Sequence, residues 1–188
     1  VYQKAKVPGA GAIYDVDRLL AFEGSEQNRL CDYIFKVLNA LEIRSGWGHA
    51  EVKMTPRGPI LVEIGNRMMG SGLTKLTEVG TGHSQVDIGI EAFLHPQTFS
   101  KREQGYKLNK HVAIVTINSS REGAFAEKKI TDVILKLRSY HKHGLSYKEG
   151  DSLPVTVNMM TSVGFVELVN EDPQALEEDI KLLRDFQS

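Results

Sequence analysis

The sequence predicts an α+β fold in which an antiparallel sheet packs against helices. Three observations support this class: amphipathic helical patterns near both ends of the chain, a strand–turn–strand pattern over residues 46–66, and an apolar strand pattern from residue 111. No internal repeat interrupts this order. With 188 residues, 41% hydrophobic and 25% charged, the chain can bury the core of one large domain or two small ones.

The first helix is predicted over residues 25–43. Ser25 is the expected N-cap, because its hydroxyl can accept a hydrogen bond from the first turn. The single cysteine, Cys31, falls within this pattern, which favours a small core residue in a reducing compartment over a catalytic thiol. The apolar face consists of Leu30, Ile34, Val37, Leu38 and Leu41.

A β-hairpin is predicted next. The segments SGWGHAEVKMT and GPILVEIGN have strand composition, and the connecting TPRGP has the Pro and Gly of a tight turn between antiparallel partners. A short helix is expected from Thr74, and a second, mostly apolar helix over SQVDIGIEAFL ends at Pro96. The polar, aperiodic residues 96–110 then predict a boundary between a first domain, 1–95, and a second domain, 96–188.

The second domain is expected to be a small α/β subdomain. Residues 111–119 predict a strand, residues 127–145 fit either a strand or a helix, and residues 155–170 predict two short strands broken at Gly164. Asp172 and Pro173 open a final amphipathic helix. Its apolar face consists of Leu176, Ile180, Leu183 and Phe186.

Charge and composition argue against two kinds of partner, nucleic acid and a membrane. A formal net charge of −1 offers no basic field to nucleic acid. No apolar run reaches the length of about 18 residues that a membrane span needs, and no signal-peptide pattern opens the chain, so we expect a cytoplasmic protein. Because the sequence opens at Val1 without an initiator Met, we expect a piece of a longer polypeptide, although N-terminal processing would look the same.

Two acids of the hairpin are candidate metal ligands. Pairing around residue 57 brings Glu51 opposite Glu63, and like charges facing each other on a sheet destabilise by about 0.2–1 kcal/mol unless a cation lies between them. Mg²⁺ takes carboxylate and phosphate oxygens of this kind. Arg67 is suited to bind a carboxylate or phosphate, and Gly70 and Gly72 would let backbone N–H groups approach an anion. The alternative is a solvated hairpin whose acids pair with lysines such as Lys53.

The order GWGHAEVKMTPRGPILVEIGNRMMGSG resembles the metal-binding hairpin of the ATP-grasp carboxylate–amine ligases. In that family a first acidic strand residue is followed, about a dozen positions later, by an E-x-N-x-R run and a Gly-rich turn. The preceding ALEIRSGWGHAE resembles the amino-acid ligases within it, and GTGHSQVDIGIEAFL and the C-terminal segment resemble later parts of the family. The resemblance covers most of residues 25–187 and is strongest in the hairpin.

The resemblance implies the C-terminal lobe of an ATP-grasp fold followed by a capping subdomain. Glu51, Glu63 and Asn66 would then hold Mg²⁺ or Mn²⁺ at the phosphates of ATP, and Arg67 would be the catalytic residue that holds the acyl phosphate or the substrate carboxylate. His49, with Arg67 and the glycines at 70 and 72, would contact substrate, although a locally bonded strand histidine is an equal alternative for His49. Such ligases activate a carboxylate with ATP and join it to an amine, often an amino acid, releasing ADP.

Two departures from the family pattern are evident. Gly65 occupies the position of the family's asparagine, and an asparagine follows one residue later, at Asn66, so either a bulge turns Asn66 into the site or water replaces one ligand. The family's ATP-binding half is expected before Val1, so this piece alone is expected to be inactive.

Alternatives therefore stay open. A carboxylase or a purine-biosynthesis enzyme of the same superfamily fits the motifs, and a degenerate, non-catalytic binding module fits the Gly65 departure; the oligomeric state, a homodimer included, is also open. Other histidines are weaker candidates. His83 is expected to be a capping or surface residue that could line the amine site, and a transition-metal site at His141 and His143 lacks a third ligand.

Overall fold

The computed structural model describes residues 1–70 and 72–187, and it confirms the α+β class. Helices and strands alternate irregularly along the chain, and all strand pairs are antiparallel. In chain order the elements are β1 (Tyr2–Lys6), β2 (Tyr14–Leu19), α1 (Gly24–Ala40), β3 (His49–Thr55), β4 (Gly58–Gly65), α2 (Leu73–Thr81), α3 (Gln85–Leu94), α4 (Pro96–Phe99), β5 (His111–Ile117), β6 (Gly123–Ala124), α5 (Glu127–Ile134), β7 (Tyr140–Leu145), β8 (Ser152–Leu153), β9 (Gly164–Asn170) and α6 (Pro173–Gln187).

The chain forms two compact units that are not contiguous in sequence. The first, called the hairpin unit here, comprises Ala21–Leu108 with Val1, and the second, the sheet unit, comprises Tyr2–Leu20 together with the chain from Asn109 onward. This division differs from the predicted split after residue 95. The difference arises because β1 and β2 join the sheet formed by later strands, and because the chain up to Leu108 packs with the hairpin unit.

The sheet unit is built on a five-stranded sheet of order β1-β2-β5-β9-β7. One face is covered by α5 and α6, whose apolar residues Ile130, Ile134, Leu176, Ile180 and Leu183 are buried against the central strands. Alternating residues of β5 and β9 supply the other half of this core. An ion pair in which Arg18 donates two hydrogen bonds to Glu177, at 2.6 and 2.8 Å, joins β2 to α6.

Local signals explain where the structure departs from the predicted elements. Helix α1 begins at Gly24 with Glu23 in the N-cap position, so the predicted cap at Ser25 is wrong. The predicted first strand of 155–170 is replaced by a 3₁₀ turn at Met159–Thr161, because Asn158 accepts a hydrogen bond from the Met160 amide and stabilises a turn there. A single strand, β9, then begins at Gly164.

The ambiguous segment 127–145 is both a helix and a strand, α5 followed by β7. Pro96 ends α3 as predicted and also occupies the first turn of the short α4, where its missing N–H costs nothing. No helix in the described part of the chain is long and apolar enough to cross a membrane.

Candidate active site

The hairpin unit carries the paired acids on β3 and β4. The register places Glu51 opposite Glu63, as predicted. The route differs from the prediction, because the turn is centred between Pro56 and Arg57 and a regular ladder would therefore place Glu51 opposite Val62. A register shift between Glu51 and Val52 leaves Val62 as an extra residue on β4, and this bulge brings the two carboxylates together.

The bulge is supported by a neighbouring helix. Tyr33 of α1 accepts a hydrogen bond at 2.9 Å from the amide of Leu61, the residue just before the bulged Val62. Val62 itself is 64% exposed, so the bulge is not driven by burial of its side chain. The effect of the bulge is therefore to place two like charges opposite each other, with Glu51 half-buried and Glu63 exposed.

Arg67 lies just beyond β4 and is exposed. Its Nη1 donates to the carbonyl of Met68 at 2.9 Å, and its stem lies over Gly65, where a Cβ atom would come within 3.3 Å of Arg67 Cγ. A side chain at position 65 would therefore press on Arg67. The glycine that departs from the family pattern leaves room for the arginine.

His49 and Asn66 have different placements. His49 is half-buried and lies opposite Gly65, two residues before Glu51, so strand alternation puts it on the face of the acids. Asn66 follows β4 directly and is exposed, and its Oδ1 lies 3.1 Å from the position that a Cβ of Gly46 would take. Asn66 lies in the bend after the strand, where alternation no longer applies. The register thus puts His49, Glu51 and Glu63 on one face of the hairpin, whereas the side chain of Asn66 lies near Gly46.

The predicted anion-binding glycines flank residue 71, which lies outside the described residues. Gly70 is exposed, with open space around its Cα. Gly72 is the N-cap of α2 and has the left-handed φ of 73°, which favours glycine. The amides of Lys75 and Leu76 bond to the Gly72 carbonyl. These two glycines therefore form the loop between Arg67 and the N-terminus of a nine-residue helix.

The donor set fits a Mg²⁺ ion that is shared with a phosphate. Among residues 1–70 and 72–187, no cluster of three or more His, Cys, Asp or Glu side chains forms a metal cage. Mg²⁺ commonly uses only one or two carboxylates and completes its shell with water and substrate phosphates. Of the lysines in this unit, Lys75 bonds to Glu78 at 2.8 Å, and Lys53 lies on β3 two residues after Glu51, opposite Ile60. Glu51 and Glu63 would hold the ion.

Sequence reasoning missed how α3 contacts the base of the hairpin. Trp47, just before β3, donates its indole N–H to the carbonyl of Gln85 at 2.7 Å, and its ring lies against Gly89. Gln85 is the first residue of α3, after the N-cap Ser84. The glycine within the pattern VDIGIEAF was the available signal, because a glycine inside a helix often marks close packing.

A capping box fixes the start of α3. The Ser84 hydroxyl accepts a hydrogen bond from the Asp87 amide, while Asp87 accepts bonds from the Ser84 hydroxyl and the Ser84 amide, at 2.6 and 2.9 Å. The Ser84 hydroxyl, followed by its amide, lowers the pKa of the Asp87 carboxyl below its ordinary value. The carboxylate form is therefore the one that caps α3.

The remaining histidine candidates lie outside this constellation. His83 is exposed and precedes the N-cap of α3, as expected for a surface residue. In the sheet unit, His141 is exposed, whereas His143 Nδ1 lies 3.1 Å from the Tyr140 hydroxyl. Among the described residues these histidines join no metal-binding cluster.

Comparison with known proteins shows what the chain is similar to. No protein-family model matches the chain. Dapdiamide A synthase from Enterobacter agglomerans is 29% identical over 162 residues, which cover 85% of this chain and 38% of that protein. An L-amino acid ligase from Bacillus licheniformis has a similar structure, with a TM-score of 0.78 at 18% identity, covering 98% of this chain and 48% of the other.

Phosphoribosylglycinamide synthetase from Anaerococcus prevotii also matches, with a TM-score of 0.70 at 13% identity, over 98% of this chain and 47% of the other. The chain thus spans less than half the length of each of these proteins. The structural likeness confirms the expected fold, and the sequence similarity to a synthase agrees with the resemblance of the hairpin motifs. In sequence and in fold, the chain is similar to the C-terminal portion of the ATP-grasp carboxylate–amine ligases.

Proposed function

We propose that this chain is the C-terminal part of an ATP-dependent ligase that activates a carboxylate as an acyl phosphate and joins it to an amine, releasing ADP and phosphate. The observation that carries the proposal is the bulge at Val62, which places Glu51 opposite Glu63. Two facing carboxylates would hold a phosphate-bound Mg²⁺ or Mn²⁺, and such an ion would offset the repulsion between them.

Each residue of the site has a role in this scheme. When bound, the divalent ion neutralises charge on the phosphoryl group that passes from ATP to the substrate carboxylate. Arg67 binds the carboxylate, and then the acyl phosphate, through its guanidinium group. His49 and the loop of Gly70 and Gly72 line the substrate side. Asn66 is the proposed third ligand, with water as its alternative.

An amino acid is the proposed substrate class. The sequence similarity is to dapdiamide A synthase, and the structure with the higher TM-score of the two described above is an L-amino acid ligase. The activity is proposed for the whole protein, because the chain spans less than half of its relatives, and we expect this portion alone to be inactive. The half-buried thiol of Cys31 and the use of ATP fit a cytoplasmic enzyme.

A second candidate has structural support. The same fold occurs in phosphoribosylglycinamide synthetase, whose named product joins glycine to a phosphoribosyl amine, so the amine in that ligase is not an amino acid. Its lower identity to this chain, 13%, makes it the second choice. A non-catalytic binding module is the alternative function that is not enzymatic.

The test is ADP release by the full-length protein with ATP, Mg²⁺ and a panel of amino acids and other carboxylates. We expect release that requires one carboxylate and one amine. Glu63→Gln should lower this release at least about 100-fold, because it removes a charge that holds the metal. Glu103→Gln, which alters an exposed acid of the same unit, is the matched control and should leave the rate unchanged.

Substrate-independent release, or equal rates for Glu63→Gln and the control, would contradict the proposal. The binding-module alternative would then lead. Release that requires a phosphoribosyl amine, instead of an amino acid, as the amine would support the second candidate.

A further inference from the structure

One amide side chain joins the two strands of the hairpin at its open end. The Oε1 atom of Gln85 accepts a hydrogen bond at 2.9 Å from the amide of Met69, and its Nε2 donates to the carbonyl of Gly48 at 3.4 Å. The backbone carbonyl of the same residue accepts the indole N–H of Trp47. Three hydrogen bonds therefore connect the first residue of α3 to the residues just outside β3 and β4.

Gln85 is itself firmly held. The capping box of Ser84 and Asp87 fixes the backbone immediately around it, and the half-buried position of Gln85 limits its rotamers. The bond to Met69 is of normal length and that to Gly48 is long, so the Met69 contact is the stronger of the two. The main mechanical effect of the side chain is thus on the chain that leaves β4.

The backbone groups that Gln85 bonds lie beside the residues proposed to bind substrate. Gly48 directly precedes His49, and Met69 lies two residues after Arg67 and one before Gly70. Arg67 in turn bonds to the carbonyl of Met68, so the amide of the next residue determines where that carbonyl lies. By contrast, Glu51 and Glu63 are held within the hairpin ladder and do not depend on this connection.

We infer that Gln85 is a positioning residue, whose carboxamide holds the loop that carries Arg67 and Gly70 against the start of β3. The inference rests on the proposed function and names a determinant of carboxylate binding at the same site. Loss of the carboxamide releases the loop while leaving the acid pair in place. A small displacement of a binding group can lower a reaction rate by as much as about 100-fold. We therefore expect kcat/KM for the carboxylate to fall by at least about 10-fold, with little change in KM for ATP.

The test uses three variants of the full-length protein. Gln85→Met keeps the length of the side chain and removes both of its hydrogen bonds, whereas Gln85→Glu keeps an acceptor for the Met69 amide. Gln97→Met makes the same change at an exposed position of α4 and is the matched control. Kinetics are measured by ADP release with ATP, Mg²⁺ and the most active amino acid of the panel, and hydrogen exchange of the Met69 amide is measured in parallel.

Support requires that Gln85→Met speeds exchange at Met69 and lowers kcat/KM, that Gln85→Glu restores most of both, and that the control changes neither. Faster exchange with unchanged kinetics would make the contact merely structural and overturn the inference, as would no change in either measurement. If the unmodified protein releases ADP normally, these failures concern Gln85 alone. If it releases none with any carboxylate, the proposed function fails and the inference with it.

Discussion

Replacing Gly89 by alanine tests how α3 and the hairpin pack together. A Cβ at this position would lie 2.5 Å from Cζ2 of Trp47, and nearer still to the indole nitrogen. That ring atom would have to retreat to the 3.4 Å of an ordinary contact, which moves the indole N–H away from the Gln85 carbonyl. The substitution therefore has two opposing effects: alanine has the better helix propensity, but its Cβ makes an unfavourable contact with Trp47.

The magnitudes decide the sign. Glycine to alanine within a helix stabilises by about 1 kcal/mol when nothing else changes. Overpacking costs about 1–3 kcal/mol, and an indole N–H left without its acceptor costs about 1–3 kcal/mol more. The expected result is a net destabilisation of about 3 kcal/mol, in the opposite direction from propensity alone.

A double-mutant cycle measures this coupling. Unfolding of the full-length protein in urea is monitored by hydrogen exchange of peptides from α3, so that the measured stability is that of this segment. In a Trp47→Leu background, Gly89→Ala should become stabilising by about 1 kcal/mol, because the ring is gone. Equal effects of Gly89→Ala in both backgrounds would refute the reasoning.

Two further predictions concern ionisable groups. The Arg18 hydrogen bonds lower the pKa of Glu177. The stabilisation that this ion pair gives is therefore present above the unfolded-state pKa and is lost as pH falls through the lower folded-state pKa. Glu177→Gln should lower the melting temperature by the equivalent of at most about 1 kcal/mol at this exposed pair, and the difference should vanish in acid. Burial raises the pKa of the Cys31 thiol, so alkylation by iodoacetamide at pH 7 should be slower than for an exposed thiol and should recover in urea; a fast native reaction would contradict it.

The parts of the fold that sequence predicted well are those set by local patterns. The turn residues between β3 and β4 predicted the hairpin, and the apolar spacing of α6 predicted a helix with its face in the core. The predicted cap of α1 failed because the helix begins one residue earlier, at Gly24, with no side-chain hydrogen bond at its N-cap. The segment near Met159 failed because the competing side-chain bond of Asn158 has no periodic signature. The placement of β1 and β2 beside β5 depends on contacts distant in sequence, which no local pattern encodes.

The acid pair shows both the reach and the limit of sequence reasoning. Symmetry about residue 57 predicted that Glu51 faces Glu63, yet the turn is centred half a residue earlier and only the bulge at Val62 restores the pairing. A bulge cannot be read from alternation, because it is the point at which alternation changes phase.

The Gly65 departure lies at the end of β4, after the bulge. Glu63 and Gly65 alternate onto one face of β4, and Asn66 and Arg67 lie in the bend that follows the strand. An asparagine at position 65 would supply an oxygen beside Glu63, but its Cβ would press on the stem of Arg67. In this chain, therefore, the glycine leaves the stem of Arg67 more room than an asparagine would, and it lacks the oxygen that an asparagine would supply.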